Sequence, residues 1–281
     1  MKNFFSRLLT AFVAVPLLLS LLYLLPWSGW GSFVALALTV ACLEFFALTH
    51  PDDKPARWVG AALTLGVYTA LVITDFGARG PASWSLAALV LVAPVALIYT
   101  VFRPLAQQTA MLRMASMALA PMYLGTAFAT NVALGRVGQE QSRHLGAGLV
   151  VFSLMVSWFG DTGGYFAGKG IGGPKLYPAV SPGKTWAGAF GGLAASALGA
   201  VIAHFWFLPE LPLARGILAA ILAGALGQIG DLCESLMKRS VNVKDSGAIL
   251  PGHGGMLDRV DALLFTSVTL YGMQRMGWLI P

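Results

Sequence analysis

The chain has 281 residues, a formal net charge of +6 and only 11% charged side chains. Its hydrophobic share is 57% and its mean hydropathy +0.74, well above a soluble globular domain. A soluble domain is therefore excluded. The positive balance does not point to nucleic acid either, because the basic residues gather at the ends of apolar runs, where they act as orientation signals in a membrane.

Apolar runs long enough for a ~30 Å hydrocarbon core recur along the chain. They predict spans at 8–26, 30–50, 58–76, 83–102, 113–133, 146–167, 187–207, 215–237 and 261–280. The expected fold is an all-α polytopic membrane protein of about nine transmembrane helices. Lys2 and Arg7 precede the first run, as in a signal peptide, but no small-x-small cleavage site follows. The next run starts directly after Trp27-Ser28-Gly29-Trp30, so the first is read as an anchor.

Residues 1–135 carry few ionisable groups and are expected to be scaffold. Glu44 and Asp75 are exceptions near span ends, read as snorkelling or interface contacts. Residues 136–281 are expected to hold the chemistry, with polar loops at 168–186 and 238–260. Cys42 and Cys233 read as buried thiols, no zinc pattern is present, and no internal repeat is evident. His50, His144 and His204 read as ordinary histidines. With the N-terminus in the cytoplasm, 13 of the 18 Lys and Arg fall on the cytoplasmic side. Both polar loops then face the cytoplasm and the C-terminus faces the periplasm.

Three stretches concentrate the polar residues: Asp161 to Leu176 (DTGGYFAGKGIGGPKL), Ser181 to Gly192 (SPGKTWAGAFGG) and Gly230 to Arg239 (GDLCESLMKR), which runs into a loop ending at Asp261. On a helix, Asp231, Ser235 and Lys238 share one face. Asp258 and Asp261 share a face at the start of the last span. A carboxylate inside an apolar span is costly unless paired or bound to a cation. Asp231 together with the two acids at a neighbouring helix start suggests a divalent-metal site, and hard oxygen ligands favour Mg²⁺ over zinc. Lys238, Arg239, Lys244 and Arg259 surround the turn Gly252-His253-Gly254-Gly255, whose glycines allow backbone N–H groups to approach an anion. Ser181, Lys184 and Thr185 repeat that chemistry at a helix start, without the spacing of a Walker loop. The combination points to a metal-bound polyphosphate at the cytoplasmic face.

The stretch SLMKRSVNVKDSGAILPGHGGMLDRVD, Ser235 to Asp261, resembles the signature of the phosphatidate cytidylyltransferase (CDP-diacylglycerol synthase) family, with GDLCES, DTGGY and SPGKTW in support. The resemblance is strong over about the C-terminal 120 residues. It implies transfer of CMP from CTP to phosphatidic acid with Mg²⁺, K⁺ as a second cation, a homodimer, and no nucleic-acid partner. It further implies Asp231 and Asp258 as metal ligands, Asp261 in support, and Ser235 and Lys238 as active-site contacts. Substrate contacts are then expected from Asp161, Ser181, Lys184, Thr185, Arg239, Lys244, His253, Gly254, Gly255 and Arg259. Two positions depart from the family pattern: Gly183 stands where lysine is common, and Ala187 where a glutamate usually follows Lys-Thr-Trp.

The expected location is a bacterial inner membrane. Competing expectations are a related CTP-dependent lipid enzyme (a CDP-archaeol synthase or a polyprenol kinase) and an ion-coupled transporter, whose polar sites would lie near the midplane in paired halves.

Overall fold

The computed structural model describes residues 15–77, 81–103, 107–138, 143–247 and 254–280. The chain forms two compact units, one of residues 1–133 with 245–258 and the other of residues 134–244 with 259–281.

In the first unit, a short apolar helix α1 (Val15–Leu24) precedes α2 (Trp27–Thr49), α3 (Lys54–Thr74), α4 (Ala82–Val101) and α5 (Gln107–Ala120). Proline marks the entry to several helices. Pro26 and Pro81 precede α2 and α4 in extended conformation, as expected of a residue with fixed φ and no N–H to leave unpaired. Asp53 caps α3, its side chain accepting the Ala56 N–H at 3.1 Å. The α5 rod continues through one wide turn at Pro121–Gly125 into α6 (Thr126–Gly135). Pro121 supplies no N–H for regular closure, which accounts for a wide turn at this point.

The connection between α2 and α3 is a small polar node. Arg103 donates to Asp53 through Nη2 at 2.6 Å and Nε at 3.1 Å. Burial opposes the Asp53 charge, but the bonds from Arg103 and from the Ala56 N–H outweigh it and hold the carboxyl below its ordinary value. His50 is buried beside it, with Nδ1 3.0 Å from the Thr49 hydroxyl. Burial, helped by the Arg113 and Arg57 charges and opposed by Asp53, pushes the imidazole down to about 4.

The second unit holds α7 (Arg143–Gly170), the strands β1 (Lys175–Tyr177) and β2 (Ser181–Thr185), α8 (Trp186–Trp206), α9 (Leu213–Ser240) and most of α10 (Leu257–Arg275). Gly172 and Gly173, at φ +70° and +92°, turn the chain out of α7. β1 and β2 then pair antiparallel, Lys175 opposite Thr185 and Tyr177 opposite Ser181. The turn places Pro178 after Tyr177, whose carbonyl accepts the Val180 N–H at 3.3 Å. This hairpin is an addition to the all-helical expectation. Residues 181–185 do lead into a helix, but as a strand, with Thr185 alone acting as the N-cap through the Gly188 N–H at 3.1 Å.

Among the described residues, seven helices are long and apolar enough to cross a membrane: α2, α3, α4, the α5–α6 rod, α7, α8 and α9. The chain is a multi-pass membrane protein. The expected first span lies partly outside the described residues, and its described part is the short α1. The expected last span is α10, whose first two turns carry Asp258, Arg259 and Asp261 and keep it out of the apolar set.

Candidate active site

The second unit is organised by small residues. Gly160, Gly164 and Gly168 recur every four positions along α7 and face Gly188 and Gly192 of α8. A Cβ at Gly188 would stand 2.8 Å from the Gly164 carbonyl oxygen, and one at Gly192 would stand 2.8 Å from that of Gly160. Side chains at these positions would push the helices apart, so the contact is made backbone to backbone. Ser196 locks the pair by donating to the Val156 carbonyl at 2.8 Å. Gln228 ties α9 to α8 through the Ala189 carbonyl at 3.0 Å.

Beside this contact lies a cavity of about 560 Å³, within the range of small-molecule sites. Asp161, Ser181, Lys184, Thr185 and Asp231, each expected from sequence to take part in the site, all line it. Asp161 is exposed to the cavity. Lys184 reaches from β2 to α9, its Nζ 2.6 Å from Asp231 Oδ2. Ser235 donates to the other Asp231 oxygen at 3.3 Å. One carboxylate thus takes a cation and a hydroxyl. Asp231 and Lys184 each keep more than a quarter of their side chains accessible, so an incoming ligand could meet either charge.

Further acids and bases surround this pair. Asp161 lies within electrostatic reach of Asp231, Lys184 and Arg259. Asp261 lies within reach of Asp231, Glu234 and Asp161, and also accepts the Ala262 N–H at 2.7 Å. Lys238 is buried, and its Nζ stands 2.8 Å from Glu234 Oε2, one helical turn away. A lysine so placed is compensated within its own helix. Arg239 and Lys244 are exposed, and Arg239 donates to the Val243 carbonyl at 2.7 Å, closing the end of α9.

Gly254, Gly255 and Asp258 belong to the first unit. Asp258 Oδ2 accepts the N–H of Ser246 at 2.9 Å and of Gly255 at 2.8 Å. Gly254, at φ +76°, permits the turn between them. His253 lies outside the described residues.

Sequence reasoning passed over several residues. Tyr165 and Lys169 line the cavity one and two turns beyond Asp161, and Lys169 Nζ lies 3.5 Å from the Tyr165 hydroxyl. Their four-residue spacing was the available signal. Gln228 also lines the cavity, but one amide in an apolar helix gives no such signal. Glu234 was available as the i−4 partner of Lys238.

A model of the cytidylyltransferase family matches residues 5–276. The chain belongs to this family.

Relatives named phosphatidate cytidylyltransferase match about half of this cytidylyltransferase-family chain. One from Brucella suis is 47% identical over 123 residues, 43% of this chain and 45% of the relative. One from Bacillus subtilis is 39% identical over 153 residues, 54% of this chain and 55% of the relative. One from Staphylococcus epidermidis is 40% identical over 134 residues, 48% of this chain and 52% of the relative. The chain thus spans about half the length of these curated relatives.

Among the described residues, no group of three or more His, Cys, Asp or Glu side chains is close enough to form a ready metal shell. Asp161, Asp231 and Asp261 are nonetheless hard oxygen donors of the kind a divalent cation takes.

Proposed function

We propose that this protein is a phosphatidate cytidylyltransferase, forming CDP-diacylglycerol and pyrophosphate from CTP and phosphatidic acid. One observation carries the proposal: the cavity in which the Lys184–Asp231 pair meets Asp161 and the Ser181 and Thr185 hydroxyls, in a member of the cytidylyltransferase family. The names of the relatives support the choice of lipid.

The nucleophile needs little activation. A phosphate monoester has its second pKa near ~6, so phosphatidic acid is an anion at neutral pH. Its phosphate oxygen attacks the α-phosphorus of CTP in line. A new P–O–P linkage forms, the α–β bridge breaks, and the electron pair leaves on pyrophosphate. Catalysis is then positioning and charge neutralisation. Lys184 exchanges its contact with Asp231 for a phosphate oxygen, while Lys169 and Arg259 add positive charge. Ser181 and Thr185 orient the nucleotide by hydrogen bonding. Asp231, with Asp161 and Asp261, would hold Mg²⁺, which when bound neutralises phosphate oxygens. Asp258 contributes through the turn that it ties together, Lys238 by fixing Glu234, and Ser235 by orienting Asp231.

The charge bias of the loops supports an N-inside orientation in a bacterial inner membrane, where CTP reaches the hairpin from the cytoplasm. A homodimer belongs to the same proposal.

The test is product analysis with purified protein, CTP, phosphatidic acid and Mg²⁺. Pyrophosphate together with a cytidylylated lipid is expected. Release of CDP with a newly phosphorylated lipid would instead indicate a kinase. Asp231→Asn should abolish turnover in a folded protein.

A further inference from the structure

Glu44 sits on α2, a helix whose other residues are apolar, small or hydroxyl-bearing. It is 6% exposed. A carboxylate buried in a membrane-length helix is costly unless its oxygens are satisfied. One segment satisfies this one. Oε1 accepts the Met256 N–H at 3.0 Å, and Oε2 accepts the Leu257 N–H at 2.9 Å and the Ser246 hydroxyl at 3.2 Å.

The two N–H groups are those at the start of α10, which have no partner within the helix. A carboxylate here also complements the positive end of the helix dipole. Ser246 joins Glu44 to a second acid, since its hydroxyl goes to Glu44 and its N–H to Asp258. The fit is close: a Cβ on Gly247 would come within 2.5 Å of Glu44 Oε1, and one on Gly255 within 2.5 Å of Oε2. Both ends of the polar stretch 246–257 are therefore held by one side chain from the second described helix of the chain.

Resting on the cytidylyl-transfer reading above, we propose that Glu44 is a positioning residue for that reaction. It touches no substrate. It fixes the residue at which α10 begins, and thereby the helical phase at which Asp258, Arg259 and Asp261 follow. A glutamine would not replace it, because its NH₂ would face an N–H donor where the carboxylate presents an acceptor.

The test compares wild type, Glu44→Gln and Thr64→Val in full-length purified protein. Thr64 donates to the Gly60 carbonyl in its own helix and its hydroxyl also meets the Cys42 thiol on α2, so its variant loosens the α2–α3 packing of the same unit while leaving the Glu44 hydrogen bonds in place. Kinetics with CTP and phosphatidic acid, the thermal midpoint and amide exchange at Met256 and Leu257 are measured. Glu44→Gln should lower kcat on the order of 10²-fold, the scale of a misplaced group. The KM for CTP should stay within about twofold, and both amides should exchange faster. Unchanged kcat in folded Glu44→Gln protein overturns the proposal. So does an equal kcat loss in a Thr64→Val protein with the same drop in midpoint. If Glu44→Gln yields no folded protein, Ser246→Ala removes one of the contacts, and full kcat there overturns the proposal. If wild type transfers no cytidylyl group, that reading falls and the role in catalysis with it; the amides of Glu44→Gln then decide the anchoring alone, fast exchange retaining Glu44 as the anchor of the α10 start and unchanged exchange overturning that too.

Discussion

Glu44 accepts the Leu257 N–H at 2.9 Å across 213 positions of sequence. The contact leaves no room for a side chain at Gly255, where a Cβ would stand 2.7 Å from the Glu44 carboxyl carbon. Gly255→Ala should therefore lower both the thermal midpoint and the turnover. Gly66→Ala is the control, since nothing lies within 4 Å of the Cβ it would add. That variant should keep wild-type turnover, with a midpoint no lower than wild type, since alanine is the better helix former.

Lys184 carries its charge from the hairpin to Asp231. Lys184→Met should reduce kcat/KM for CTP on the order of 10²- to 10³-fold, the scale for losing one preorganised charge-stabilising group. Lys184→Arg keeps the charge but not the compact ammonium, and should fall between the two. Initial rates over a CTP titration check both variants.

Cation dependence should follow the carboxylates of the second unit. Chelation should stop turnover and Mg²⁺ should restore it. Asp161→Asn should shift the Mg²⁺ activation curve to higher concentration, because it removes one of the charges near Asp231. Unchanged half-activation by Mg²⁺ would remove Asp161 from the proposed cation site.

Stability should fall on mild acidification through His50. Its folded value is about 4 against an ordinary 6.5. Between these values the unfolded chain holds a proton that the folded chain does not, so lowering the pH favours unfolding. The contribution is intact above 6.5 and is progressively lost down to about 4. Asp53 acts lower: its depressed value makes its contribution present above the ordinary 3.8 and lost as pH falls through the folded value. Thermal midpoints at several pH values should show a shallower dependence for His50→Gln than for wild type between pH 6.5 and 4.

The spans were legible because uninterrupted apolar runs ended at proline or charge, as at Pro26, Asp53 and Pro81. The polar lining of the cavity was legible because Asp161, Lys184 and Asp231 stand out against apolar surroundings. Partners were harder to read. Lys238 has Glu234 one turn back and Asp231 two turns back, and the nearer acid takes the contact. The hairpin was hidden in a glycine- and proline-rich stretch too short to show strand alternation. Glu44 was read as an interface residue, since nothing local to an isolated acid reveals an acceptor role 213 positions away.

The α7–α8 contact has a consequence for how this cavity can be adapted. Where it borders the cavity it is made by glycine backbone, at Gly160, Gly164, Gly168 and Gly188. Substitution there wedges two helices apart before it reshapes the space between them. Reshaping the cavity therefore falls to the larger side chains that line it, Tyr165, Lys169 and Leu176 among them, leaving the glycine wall as the part of the cavity that drift can least afford to touch.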